Sequence, residues 1–393
     1  MPPLVMLILA TVLAADAVCW WRADRRARTW PRPAAWRLLV ALFIGGQIAL
    51  LMWVIGGRVE PTAGVGRPPQ LLAAVAFLWH LLVLPVVVVV AALAAVVRLL
   101  TRAVVRRKPP AAGAPTRRQF HGLVATAAPA LLAGAGAGVG RAQLHDFRVR
   151  EIDVPLPTLP PELDGLRVAI VSDVHLGNFT SAATLKRVVE ETSRLDADLV
   201  LLPGDLIDNA LSDLAAALDA VGNIQSRHGS YLCVGNHDLI QDGAEFVLRT
   251  RARLPLLVGE ARAVTIRGRS VELLGLPWDR DERRSAEGVR ALAGRVTPGA
   301  FPILLAHHPH AFDAAAAAGL PLTVSGHTHG GQIMLGDAVG FGPMMYRYWS
   351  GLYRKPEGAA LVVSNGVGNW FPLRVGAPAE VVHLTLRRGE RPT

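Results

Sequence analysis

Five short polar signatures follow one another along this chain: Asp173-Val174-His175, Gly204-Asp205 with Asp208 beyond it, Gly235-Asn236-His237-Asp238, His307-His308-Pro309-His310 and Gly326-His327-Thr328-His329. Carboxylates, imidazoles and an amide ligate divalent cations through oxygen and nitrogen, and imidazole is also the usual proton donor near neutral pH. Cysteine occurs only twice, at Cys19 and Cys233, so neither a thiolate metal site nor a disulfide framework can be built. An oxygen-and-nitrogen set suits Mn, Zn or Fe and disfavours soft metals. Any one signature is commonplace, and His327 and His329 taken alone read as a solvated loop. Five in succession, each after an apolar run, point to one shared site.

The elements that must position these residues are legible between them. "LRVAIVSD", "DLVLLPGD", "GSYLCVGN", "PILLAHH" and "LTVSGH" each carry a short apolar run read as a buried strand. "SAATLKRVVEETSRL" places Leu185, Val188, Val189 and Leu195 on one helical face, and "LSDLAAALDAV" does the same with Leu211, Leu214, Leu218 and Val221. Strands alternating with helices predict an α/β core, and such sheets build their sites at the carboxyl ends of strands. The Pro-rich stretch Val154–Gly165 leads into this region.

The first 140 residues differ in kind. They hold 15 Lys/Arg against 3 Asp/Glu, whereas the remainder holds 26 against 28, so the chain's net charge of +10 belongs wholly to the first part. A nucleic-acid partner is not expected, because a phosphate-tracking surface needs that excess on the binding domain. Four apolar runs, Leu4–Trp21, Leu38–Ile55, Leu71–Val97 and Phe120–Gly140, approach the roughly 20 residues needed to cross a bilayer. Six arginines (Arg22, Arg25, Arg26, Arg28, Arg32, Arg37) separate the first two runs. Arg98, Arg102, Arg106, Arg107, Lys108, Arg117 and Arg118 separate the last two, while the middle connection has only Arg58 and Arg67 against Glu60. Basic connections stay cytoplasmic, so four crossings predict a multi-pass membrane protein whose C-terminal domain lies outside the cytoplasm. The stretch from Thr116 also resembles a twin-arginine export signal, with Arg117-Arg118, then Phe120 and a mildly apolar run; it too would deliver the domain outside. Asp16, Gln47 and His80 fall inside the runs and are expected to pack between helices. The expected organisation is a transmembrane region over 1–140, a linker over 141–165 and a domain over 166–393.

The ordered set D-x-H, G-D-x-x-D, G-N-H-D, H-x-P and G-H-x-H resembles the calcineurin-like metallophosphoesterase family, over about residues 150–390, and "HTHGGQI" with the tail from Ser350 is similar to its membrane-associated branch. The resemblance implies a four-layer α/β-β/α sandwich, here behind about four transmembrane helices, and a metal-dependent phosphoric ester hydrolase. "GDLIDNA" stands where the protein-phosphatase branch has G-D-x-x-D-R-G, and "GNHD" where it has G-N-H-E, which speaks against a phosphoprotein substrate.

Phosphate esters are anionic, so hydrolysis at neutral pH needs charge neutralised and a nucleophile generated. Two metals about 3.5–4 Å apart do both, and an anionic bridge must hold such ions together. The resemblance makes Asp205 that bridge, with Asp173, His175 and His329 on one ion and Asn236, His307 and His327 on the other. It makes His237 the acid that protonates the leaving oxygen, oriented by Asp238, with Asp208 supporting the loop and His308 a bystander. Arg347, Tyr353 and Arg374 are candidate substrate contacts, since guanidinium forks suit phosphate. The resulting expectation is a membrane-anchored enzyme with two divalent ions, acting on a phosphodiester or phosphomonoester, a lipid-linked one being favoured by tethering. The alternatives are a UDP-2,3-diacylglucosamine pyrophosphatase of lipid A synthesis and a non-catalytic receptor or scaffold that keeps the fold.

Overall fold

The computed structural model describes residues 3–59, 69–102, 117–177, 179–336 and 338–389. Glu60, Arg67, Arg106, Arg107 and Lys108, which entered the charge argument, lie outside them. The chain divides into two compact units, Met1–Arg141 and Ala142–Thr393.

The first unit is helical. Its helices run over Pro3–Ala27, Pro33–Val59, Gln70–Arg102 (with a π turn at Trp79–Val83) and Arg117–Ala142. Among the described residues three helices are long and apolar enough to cross a membrane: Met6–Ala27, Pro33–Ile55 and Leu71–Val96. The expected fourth span forms one continuous helix, Arg117–Ala142, with Pro129 inside it. Asp16 and His80 are buried, and the Asp16 carboxylate accepts from Trp79 Nε1 at 2.8 Å and meets His80 Nε2 at 3.0 Å. Pairing removes the cost of isolated polar groups among apolar helices.

The second unit contains two sheets. Its strands are β1 Phe147–Leu156, β2 Leu166–Ile170, β3 Leu199–Pro203, β4 Ser230–Cys233, β5 Glu260–Ile266, β6 Arg269–Gly275, β7 Phe301–Leu305, β8 Leu322–Ser325, β9 Gly351–Arg354, β10 Ala360–Val363 and β11 Ala379–Arg388. One sheet has the order β1-β11-β2-β3-β4 and the other β5-β6-β7-β8-β10-β9. Side-chain alternation along each strand explains the layering. Leu199 and Leu201 of β3 join Ile303, Leu305, Leu322 and Val324 in a core between the sheets. Val200 and Leu202 face outward onto Leu185 and Val188 of helix Ala182–Arg194 and onto Leu214 and Leu218 of helix Leu214–Gly222. Beyond the other sheet, Leu274 and Leu304 pack on Val289 and Leu292 of helix Glu282–Ala293. Helices therefore cover both outer faces of a sheet-on-sheet sandwich.

Strands β2, β3 and β4 run parallel, as do β6, β7 and β8. Parallel strands bring their carboxyl ends to one edge of a sheet, and the five polar signatures follow β2, β3, β4, β7 and β8.

Candidate metal centre

Each signature leaves its strand by a tight turn. Asp173, His175, Asp205, His327 and His329 all adopt left-handed φ, between 43° and 71°. They make up five of the nine non-glycine residues in that region among the described residues. Such conformations cost of order 1–3 kcal/mol each and persist where the surroundings over-determine them, commonly at functional sites. Gly235 and Gly326 permit the loops to meet: a Cβ on the first would run into the Asp205 carboxylate, and on the second into Ser172 and Asp173.

The convergence is specific. His175 Nε2 lies 3.1 Å from His329 Nε2, and Asp173 Oδ1 lies 3.5 Å from the latter. His307 Nε2 lies 3.1 Å from both His327 Nδ1 and Asn236 Oδ1. Between these groups stands Asp205, with Oδ2 3.1 Å from His307 Nε2 and 3.4 Å from His175 Nε2. Asp173, His175 and His329 can gather their donor atoms around one ion, and Asp205, His307 and His327 around another.

The chemistry of these atoms fits cations. His307 Nδ1 faces the Pro203 carbonyl at 2.8 Å, so it carries a proton there and Nε2 is the atom turned toward Asp205, His327 and Asn236. Oxygen and nitrogen atoms gathered this closely are a donor set that a divalent ion could hold together. Burial, then neighbouring imidazoles, hold the pKa of His175 and His327 well below the ordinary histidine value, and burial with Arg374 does so for His329, so these rings offer lone pairs. Burial opposes ionisation of Asp205, yet His307 outweighs it and keeps that carboxyl below its usual range. Burial would likewise lower His307, but Asp205 and Asp173 lift it to about 9. Burial lifts Asp173 to about 6.

The sequence profile of the calcineurin-like phosphoesterases matches residues 166–331. Those residues carry the sequence pattern of that family. A transmembrane protein with metallophosphoesterase domain from Danio rerio is 32% identical over 254 residues, covering 61% of this chain and 57% of that one. An uncharacterized metallophosphoesterase of Helicobacter pylori is 28% identical over 61% of this chain and 64% of its own. The uncharacterized metallophosphoesterase YkuE of Bacillus subtilis is 28% identical, over 69% of this chain and 98% of its own. The chain thus spans less than two thirds of the first two.

Within this site the histidine beside the ligands is held differently from expectation. His237 Nδ1 lies 2.5 Å from the Asp208 carbonyl oxygen and 3.5 Å from the Asp208 carboxylate. Its ring packs edge-on against His175, 4.5 Å between centroids. Asp238, expected to orient His237, instead accepts from the backbone N–H groups of Asp205, Leu206, Ile207 and Gly235, at 2.8–3.3 Å. It ties the third signature's turn to the second's, and orientation of His237 passes to Asp208.

The three candidate substrate contacts are engaged elsewhere. Arg374 is fully buried and donates to Asn369 Oδ1 and to the carbonyls of Ala377, Gly368 and Asn365, at 2.6–3.0 Å. Its Nη2 lies 3.3 Å from His329 Nδ1, so it braces a ligand from behind. Arg347 pairs with Asp313 at 2.8 Å on the surface, and the Tyr353 hydroxyl accepts from the backbone of Trp349 at 3.0 Å. His308 stacks beside His310 and His327 and, by burial first, has its pKa pressed down to about 3, so it stays neutral.

Two aromatic residues join the site that no ligand pattern marks. Trp278 lies 5.9 Å from His307 and 5.6 Å from His327, and Tyr346 lies 5.8 Å from His327. The sequence does hold a signal for Trp278, which follows the apolar run Val271–Leu276 just past a strand as the ligands do. Its indole carries no ligand chemistry, so that position is silent without the fold.

Proposed function

We propose that this chain is a membrane-held, metal-dependent phosphoesterase that hydrolyses a phosphodiester or phosphomonoester with two divalent ions. The observation that carries the proposal is the position of Asp205, whose Oδ2 is within 3.4 Å of a nitrogen from each of the two ligand groups. When bound, the ions would supply charge neutralisation for the phosphoryl oxygens and a nucleophile at neutral pH.

Asp173, His175 and His329 would hold one ion, Asn236, His307 and His327 the other, and Asp205 both. The Pro203 carbonyl keeps the proton of His307 on Nδ1, leaving Nε2 for a ligand role. Asp208 similarly keeps a proton on His237 Nδ1, so Nε2 of the protonated ring is the atom that can give a proton to the leaving oxygen. Burial alone would lower the His237 pKa, but the bond to Asp208 and the charge of Asp205 outweigh it and raise it. A raised pKa suits a proton donor. Trp278 and Tyr346 flank His327 and border the site.

The domain lies outside the cytoplasm in this reading, through export or crossing by helix Arg117–Ala142. That helix decides the side. The second reading rests on the three helices that meet the length and composition for crossing among the described residues: three crossings leave the domain in the cytoplasm, to act on a nucleotide-linked pyrophosphate. Protease added to sealed right-side-out vesicles separates the two: a cleaved domain supports the first, a protected one the second. Turnover is tested on the full chain in nanodiscs with Mn²⁺ against a panel of phosphomonoesters, phosphodiesters and pyrophosphates, beside Asp205→Asn. A chain that binds two ions and cleaves nothing is a scaffold.

A further inference from the structure

Six large apolar side chains of residues 142–389 are exposed among the described residues: Ile240, Leu248, Leu335, Val339, Met344 and Met345. Four of these fall between Leu335 and Met345, where backbone hydrogen bonds hold the described residues. Met334 is buried, bridges to Gly340 and donates its N–H to the Val375 carbonyl at 2.7 Å. Leu335 N–H reaches the Val339 carbonyl at 2.7 Å, and Phe341 N–H reaches the Ile333 carbonyl at 3.1 Å. These bonds bring Leu335 and Val339 together, both exposed, ahead of the helical turn Phe341–Met345, where Met344 and Met345 are exposed. From Gln332 to Tyr346 the sequence holds a single charged residue, Asp337. An exposed apolar segment with almost no charge is costly in water and suited to a lipid interface.

We propose that the segment Leu335–Met345 docks into the surface of a phospholipid bilayer. A bilayer is the occupant the chain itself keeps within reach, since among the described residues three helices are apolar enough to cross one. The segment is continuous with the metal centre, because Tyr346, the next residue, packs edge-on to His327 with 5.8 Å between ring centroids. Docking would thus bring the centre to the headgroup level, where the phosphoester of a lipid is the substrate class presented. That last consequence rests on the phosphoesterase reading; the docking does not.

The test uses the full chain with Cys19→Ser, in nanodiscs of phosphatidylethanolamine and phosphatidylglycerol. An environment-sensitive fluorophore is attached at Leu335→Cys, Met344→Cys or, as control, Leu248→Cys. Doxyl-lipid should quench the first two and iodide the third. Iodide quenching at all three, or shielding of positions 335 and 344 from both quenchers because protein covers them, overturns the proposal. A triple variant Leu335→Asp, Met344→Asp, Met345→Asp should lose about tenfold in turnover of a bilayer-borne phospholipid while turnover of a water-soluble p-nitrophenyl phosphodiester stays within about twofold. Equal loss on both substrates refutes a docking role. Should the parent turn over neither, the phosphoesterase reading fails and the quenching result alone judges the docking.

Discussion

His237 holds its Nδ1 2.5 Å from the backbone carbonyl of Asp208, with the Asp208 carboxylate 3.5 Å away. The carbonyl fixes the tautomer and the carboxylate supplies charge. His237→Ala should keep its metal and lose about 10²–10⁴-fold in kcat, the usual worth of a positioned acid. Asp208→Asn should keep most of the rate but shift its pH profile. The donor must be protonated, so activity falls as pH rises through the His237 pKa. Removing the charge that raises this pKa moves the alkaline limb to lower pH. An unmoved limb in a kcat–pH series would sink the assignment.

Metal affinity should fall with pH in two stages. A proton on His307 removes the lone pair that faces Asp205, and its pKa lies at about 9. Below that value each pH unit should cost about tenfold in apparent Mn²⁺ affinity for one displaced proton, and below about 6 Asp173 adds a second. Calorimetric titrations in buffers of different ionisation enthalpy count the protons released. Asp205→Asn should abolish tight binding of both ions, not one.

Asp238 is a structural brace more than a chemical group. Truncation by Asp238→Ala leaves four buried backbone N–H donors without their acceptor, a loss on the order of 3 kcal/mol or more. Denaturant unfolding should show that loss, and His237→Ala should not. Were Asp238→Ala as stable as the parent, the brace would be disproved.

Arg374 sits behind His329. Arg374→Lys should weaken metal binding by about 10–100-fold, as loss of groups that orient a ligand commonly does, with KM at saturating metal nearly unchanged. A raised KM with metal affinity intact would return Arg374 to the substrate.

Much of this was readable without coordinates. The alternation of apolar runs and amphipathic helices announces parallel strands, and ligand-type residues recurring after each run announce a site at their ends, because side-chain period and strand direction are local properties. The apolar N-terminal runs and their basic connections are equally local. Other features depend on distance in space. That Asp205 stands between His175 and His307 follows from two sheets meeting, as does the contact of Trp278 with His327. Asp238 and Arg374 carry charged side chains like any catalytic or phosphate-binding residue, and only burial with its hydrogen-bond partners turns them into braces. The sequence determined which atoms could bind a cation; the packing of one sheet upon the other decided which of them meet, since residues far apart in the chain become neighbours only when buried surfaces hold them there.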